Sequence, residues 1–162
     1  MSYNLLIETL KNNFESIVDN SNRKMVNSII SGNETEVDNY KKNLFPLTHF
    51  DIINFQPVNI NNTSMVNYEV VVTVVDIRDF NKEEDRDKIY SNDNRNDNWN
   101  TTAYILRTGE VKMIKAYNQQ NISLVSTTTA EKLSFVRENT LDGWSQTWTV
   151  SVPDIYVKAC DL

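Results

Sequence analysis

The chain has 162 residues, 40% hydrophobic and 23% charged, with a formal net charge of −6, enough for one domain with a full core. The acidic balance excludes broad binding along the outside of a DNA duplex, which needs a basic face, although an acidic wall lets DNA slide past it. The single cysteine, Cys160, excludes an intrachain disulfide, and no apolar run approaches the length of a membrane span. The opening "MSYNLLIETL" has no basic region followed by an apolar stretch, so no signal peptide is expected there. The five N-x-S/T triplets, such as Asn100-Thr101-Thr102, are then chance matches, because glycosylation needs a secretory route.

Residues 4–20 read as an amphipathic helix. Leu6, Leu10, Phe14 and Ile17 recur at spacings of three and four, with Lys11, Asn12, Asn13 and Glu15 on the watery side. "DNSNR" (Asp19 to Arg23) ends it with turn formers. A short strand follows over Met25 to Ile30, then a polar stretch over 34–43 with room for a single helical turn. "LFPLTHFDIINFQPVNI" (Leu44 to Ile60) reads as an extended strand, and Pro46 and Pro57 place its ends at a sheet edge or a bulge. After the turn "NNTSM", Val66 to Asp79 carries the strongest strand signal in the chain. Its near-continuous Val from 70 to 75 implies cover on both faces. The two long strands around Asn61-Asn62-Thr63 predict an antiparallel hairpin.

The charged, turn-rich segment from Asn81 to Asn98 comes next. Trp99, Ala103, Leu106, Met113 and Tyr117 then repeat at helical spacing, with Gly109 and Glu110 interrupting the stripe. Three strands complete the chain: Ile122 to Val125, Lys132 to Glu138, and the stretch from Leu141 to Pro153. In that last stretch Asp142-Gly143 predicts a bend or bulge. Trp144, Trp148, Val150 and Val152 share one face of it, and Ser145, Thr147, Thr149 and Ser151 share the other. The order α-β-β-β-α-β-β-β gives an α+β fold: a largely antiparallel sheet with two helices packed on one face. The tryptophan face is expected under the helices and the hydroxyl face toward solvent or a neighbour. One domain over 1–162 is expected, with a long polar loop at about 80–98 and a tail over 154–162.

Reactive chemistry finds no foothold in these residues. A hydrolytic triad would have to use His49, the sole histidine, and there is no nucleophile motif to go with it. Cys160 has no second Cys or His at metal spacing. The acidic runs at 82–87 and 92–97 lack the glycine that a calcium loop needs. No catalytic residue, cofactor or metal is therefore expected, and the chain reads as a non-enzyme. Lys82, Glu83, Glu84, Asp85, Arg86, Asp87 and Lys88 mix both signs of charge. Such a segment suits an adjustable contact with another subunit, where paired charges set register and orientation.

The order of "FPLTHF" (Phe45 to Phe50), "YEVVVTVVDIRD" (Tyr68 to Asp79), "NDNWNTTAYILR" (Asn96 to Arg107), "LDGWSQTWTVSVPDI" (Leu141 to Ile155) and the late "KAC" (Lys158 to Cys160) resembles the small neck and tail-completion proteins of tailed bacteriophages, in particular the tail-terminator-like group. The resemblance spans about residues 4 to 160, and its motifs are structural. The charged segment after Asp79 is longer than in the simplest members. Membership implies a non-enzymatic virion protein, made in the bacterial cytoplasm, that forms a hexameric or dodecameric ring in the head-to-tail connector. Its implied partners are itself, the portal and adaptor rings above, the tail or further rings below, and genomic DNA passing without sequence-specific binding. A non-enzymatic accessory or binding module of another kind is the alternative.

Overall fold

The computed structural model describes residues 2–32, 45–78, 95–136 and 140–154. Its elements run α1 (Ser2–Glu15), β1 (Ser28–Ser31), β2 (Leu47–Ile60), β3 (Thr63–Ile77), α2 (Arg95–Gln120), β4 (Ser123–Thr127), β5 (Glu131–Val136) and β6 (Thr140–Pro153). The polar stretch at 34–43, the charged segment and the tail after Asp154 lie outside the described residues. One sheet holds the six described strands in the order β1-β2-β3-β6-β4, and β5 also pairs with β6. Every pairing is antiparallel except β1 with β2, which is parallel. The fold is thus α+β, as the element order predicts.

β2 and β3 meet at a two-residue turn, with Ile60 opposite Thr63. Asn61 and Asn62 both take positive φ, 50° and 63°, the pattern of a type I′ turn, which Asn tolerates and which matches strand twist. β4 and β5 lie one after the other along the outer side of β6, so they act as a single interrupted edge strand.

Both described helices cover the same side of the sheet. Leu6, Leu10 and Phe14 of α1 and Ile105, Leu106 and Met113 of α2 form one buried cluster with Val66, Tyr68, Val70, Val72 and Val74 of β3 and Trp148, Val150 and Val152 of β6. The alternation of side chains along a strand puts those even-numbered residues on one face, so the tryptophan face lies where the sequence puts it. Phe14 is the hinge pin of this core. Its ring meets Phe50 edge-on at 5.3 Å between centroids and tilts over Trp148 at 5.9 Å.

Gly109 explains the interruption in the stripe of α2. The helix runs through it unbroken, and a Cβ there would sit 2.2 Å from Cζ of Phe14. The gap in the hydrophobic pattern is therefore the point where the two helices touch. Gly143 also has a steric cause. β6 keeps its register with β3 and β5 across it, so no bulge forms there. A Cβ would instead fall 1.9 Å from the Val74 carbonyl oxygen.

The hydroxyl face is less open than its composition suggests. Ser151 is buried, and Ser145, Thr147 and Thr149 are half-buried. Thr73 and Ser145 bond to each other at 3.1 Å. Small side chains in the middle of a sheet are shadowed by longer neighbours on the flanking strands. The same face carries a second apolar cluster, Leu47, Val75 and Leu141 with Ile30 and Phe45, so the valine run of β3 is covered on both sides, as expected.

Candidate interaction surface

His49 lies on the outer face of β2, fully buried, and its Nε2 donates to the Gly32 carbonyl at 2.7 Å. Its Nδ1 has no partner among the described residues. The histidine ties the start of the sheet to the turn after β1. Cys160 and the charged segment from Lys82 to Lys88 lie outside the described residues. Among the described residues no group of three or more His, Cys, Asp or Glu is placed to hold a metal ion. No described helix is long and apolar enough to cross a membrane.

The main concentration of buried charge sits where β3 leaves the sheet. Asp76 and Asp142 are directly opposed on β3 and β6, a like-charge pair that costs stability. Arg78 answers one of them. Its Nε donates to Asp142 Oδ2 at 2.8 Å and its Nη2 to Asp142 Oδ1. Nη2 also donates to Ser134 Oγ on β5, whose hydroxyl in turn donates to Asp142 Oδ1, both at 2.8 Å. Asp142 is completely buried. Asp76 is left with the burden: burial pushes its carboxyl above the ordinary value of 3.8, the charge of Asp142 adds to this, and a bond from the Ile77 amide opposes it. This knot fastens β3, β5 and β6 together.

A shallow groove of about 250 Å³ lies between α2 and the sheet, lined in part by Leu106, Glu110, Trp144 and Gln146. Its polar groups are engaged. Glu110 pairs with Arg107, the Gln146 amide donates to the Thr128 carbonyl at 2.7 Å, and Gln146 Oε1 accepts from the Trp148 indole at 2.8 Å. Close by, the Trp144 indole donates to the Trp99 carbonyl at 2.9 Å, and Lys132 Nζ stands 3.7 Å above the Trp99 ring. These contacts anchor the start of α2 on β5 and β6.

The least satisfied surface is at the outer strands. β1 pairs with β2 only as far as Phe50. Beyond it, Ile52–Ile60 has β3 on one side and no strand among the described residues on the other. Ile53 is 48% exposed, Phe55 69% and Ile60 47%, and Val125 of β4 on the opposite edge is 54% exposed. Phe55 rests on Tyr68 at 6.2 Å between ring centroids, and Tyr3 meets the same ring at 6.3 Å. Apolar groups gathered on a sheet margin mark a contact surface more often than scattered single ones do.

No family model matches the chain, and no curated protein matches it. The signal for this surface is in the sequence all the same. The two longest stretches without a charged residue are 52–68, which spans 17 positions, and 116–130, which spans 15. They coincide with the free margin of β2 and its turn, and with the approach to β4 and β4 itself. Nothing in the residues says that both are sheet margins until the strand order is known.

Proposed function

We propose that this chain is a structural virion protein, a subunit of an oligomeric ring in the head-to-tail connector of a tailed bacteriophage, joining portal and adaptor to the tail. The observation that carries the reading is the margin of β2, where Ile53, Phe55 and Ile60 stand exposed on a strand with no charge from 52 to 60. Natural sheets usually protect free margins with charge, so an uncharged, apolar margin asks for a partner. The ordered segments that resemble the tail-terminator-like group supply the identity of that partner: further copies and the neighbouring rings. A net charge of −6 suits a channel wall that does not hold passing DNA. The segment Lys82 to Lys88 is proposed as a second contact, to the adjacent subunit or the next ring.

The test is assembly. The full chain, alone and with the portal and tail proteins encoded beside it, is examined by native mass measurement and negative-stain microscopy. Closed rings with a central channel are expected in at least one of these mixtures. A chain that stays monomeric in all of them, with connectors completing normally in its absence, would falsify the proposal.

A further inference from the structure

The two sides of the subunit differ in charge. Odd-numbered residues of β3 and β6 point away from the helices. Residues paired with them share that outer face, among them Asp51 and Asn54 on β2, Ser126 on β4 and Glu131 on β5. The charged side chains of this face, among the described strands, are Asp51, Glu69 and Glu131. All are acidic, and none has an ion-pair partner among the described residues. Two polar atoms on the same face are also unanswered. Asn67 Oδ1 and Ser151 Oγ are buried and bonded to nothing among the described residues, and the two residues are directly opposed.

The far side of α2 has the opposite character. Tyr104, Arg107, Ile114 and Lys115 are exposed there. With half-buried Val111 they recur at spacings of three and four, so they form one stripe that points away from the sheet. From Tyr104 to Lys115 the bases are Arg107, Lys112 and Lys115, and the one carboxylate is Glu110, which pairs with Arg107. Lys112 and Lys115 have no ion-pair partner among the described residues. We propose that copies of this chain join head to tail, the far side of α2 in one copy packing across the outer face of the sheet in the next. The inference rests on the ring reading above and names the surfaces that close the ring. They lie on opposite sides of one subunit, and a repeated contact between unlike surfaces gives a ring when the rotation closes.

Size and chemistry both fit. Tyr104 to Lys115 spans about 16 Å of helix. From β2 to β4 the face is three strand spacings wide, about 14 Å. A helix laid across the strands therefore brings its bases and its apolar groups onto the face together. Tyr104, Val111 and Ile114 cover half-buried Val71 and the methyl groups of Thr147 and Thr149. That burial supplies affinity, and the opposed charges set register and orientation. A sheet with a helix layer on each face is a common arrangement, and here the second layer comes from the neighbour. Two copies joined by their sheet faces would instead set carboxylate against carboxylate, so charge favours the unlike pairing.

Charge reversal tests the contact. A face variant carries Glu69→Lys and Glu131→Lys, and a helix variant carries Arg107→Glu and Lys115→Glu. Full chains, with the neighbouring connector proteins where the parent needs them, are followed by native mass measurement and negative-stain microscopy. Each variant alone is expected to lose its rings, because like charges then meet at every contact. An equimolar mixture is expected to regain them. In alternating copies one contact is reversed in sign at both partners and the next is parental. All four positions are exposed, so both variants are expected to melt with the parent. If either fails to fold, Glu69→Lys and Lys115→Glu as single variants repeat the test. Rings from either variant alone overturn this contact and leave the ring reading standing. Folded variants that fail alone and also fail when mixed do the same. Rings intact with docking to portal or tail proteins lost overturns the contact and assigns the altered surface to those proteins. A parent chain that forms no ring under any of these conditions overturns both readings.

Discussion

The two halves of β2 have nearly the same makeup and opposite surroundings. Leu47 to Phe50 is buried at every position, whereas Ile53 to Ile60 is exposed or half-exposed at every position. Hydrophobicity does not separate them, since Ile53, Phe55, Val58 and Ile60 are as apolar as Leu47 and Phe50. The first half has β1 beside it, Phe14 above Phe50 and the Leu47 cluster on its other face. Among the described residues, the second half has β3 on one side and no strand on the other. Burial along a strand is therefore decided by what the rest of the chain can reach.

The largest expected effect tests the covered half. Phe50→Ala removes a fully buried ring and is expected to cost about 3–5 kcal/mol in denaturant melts. A cost under about 1 kcal/mol would show that the first half is no better packed than the second. Gly109→Ala comes next. It gains helix propensity but drives a methyl group into Phe14, which Phe50 and Trp148 hold in place, so a net loss of about 1–3 kcal/mol is expected. An unchanged or raised melting temperature would mean that the ring over the covered half can move aside.

Asp76→Asn is expected to stabilise by about 0.2–1 kcal/mol at neutral pH, because it removes a like charge directly opposite Asp142. The sign follows from the raised pKa. Between the ordinary carboxylate value and the raised one, the folded chain binds more protons than the unfolded chain, so the parent loses stability as pH climbs through that window. The advantage of the variant should therefore vanish in acid and grow toward neutrality. A constant difference at all pH values would assign the effect to packing. The smallest effect belongs to the exposed half. Ile53→Ser should change the melting temperature of the isolated subunit little, within about 0.5 kcal/mol, while weakening assembly. A large loss of stability in the monomer would mean that the far half is covered after all.

Much of this was legible in the residues. The eight described elements appear in the order that periodicity predicts, the hairpin turn falls on Asn61 and Asn62, and Trp148 faces the helices. Boundaries drift where tertiary contacts decide them. The first helix stops at Glu15 while Ile17 stays buried beyond it, held in a turn where the Asp19 carboxylate accepts from the Ser21 and Arg23 amides. Gly109 reads as a flaw in a helix because a pattern of hydrophobicity has no symbol for a hole that receives a ring. Gly143 reads as a bulge because the carbonyl that crowds it belongs to another strand. Arg78 and Asp142 are 64 residues apart, so no local spacing joins them. For the interaction surface, the sequence offers mixed charge between Lys82 and Lys88, whereas the structure exposes uncharged strands. Charge patterns are visible in one dimension; margins of a sheet are not.

The brevity of β1 carries a mechanical consequence. Its last residue in the sheet, Ser31, is opposite Phe50, and the Gly32 amide donates to the Phe50 carbonyl at 3.1 Å. A strand that slides along β2 from the turn therefore meets an obstacle just past the bulge at Ile53. At the other end the hairpin runs out at Ile60. Among the described residues β1 works as an end stop and leaves a slot of fixed length, so a strand that paired there would be gauged by how far it can travel as well as by what it contains.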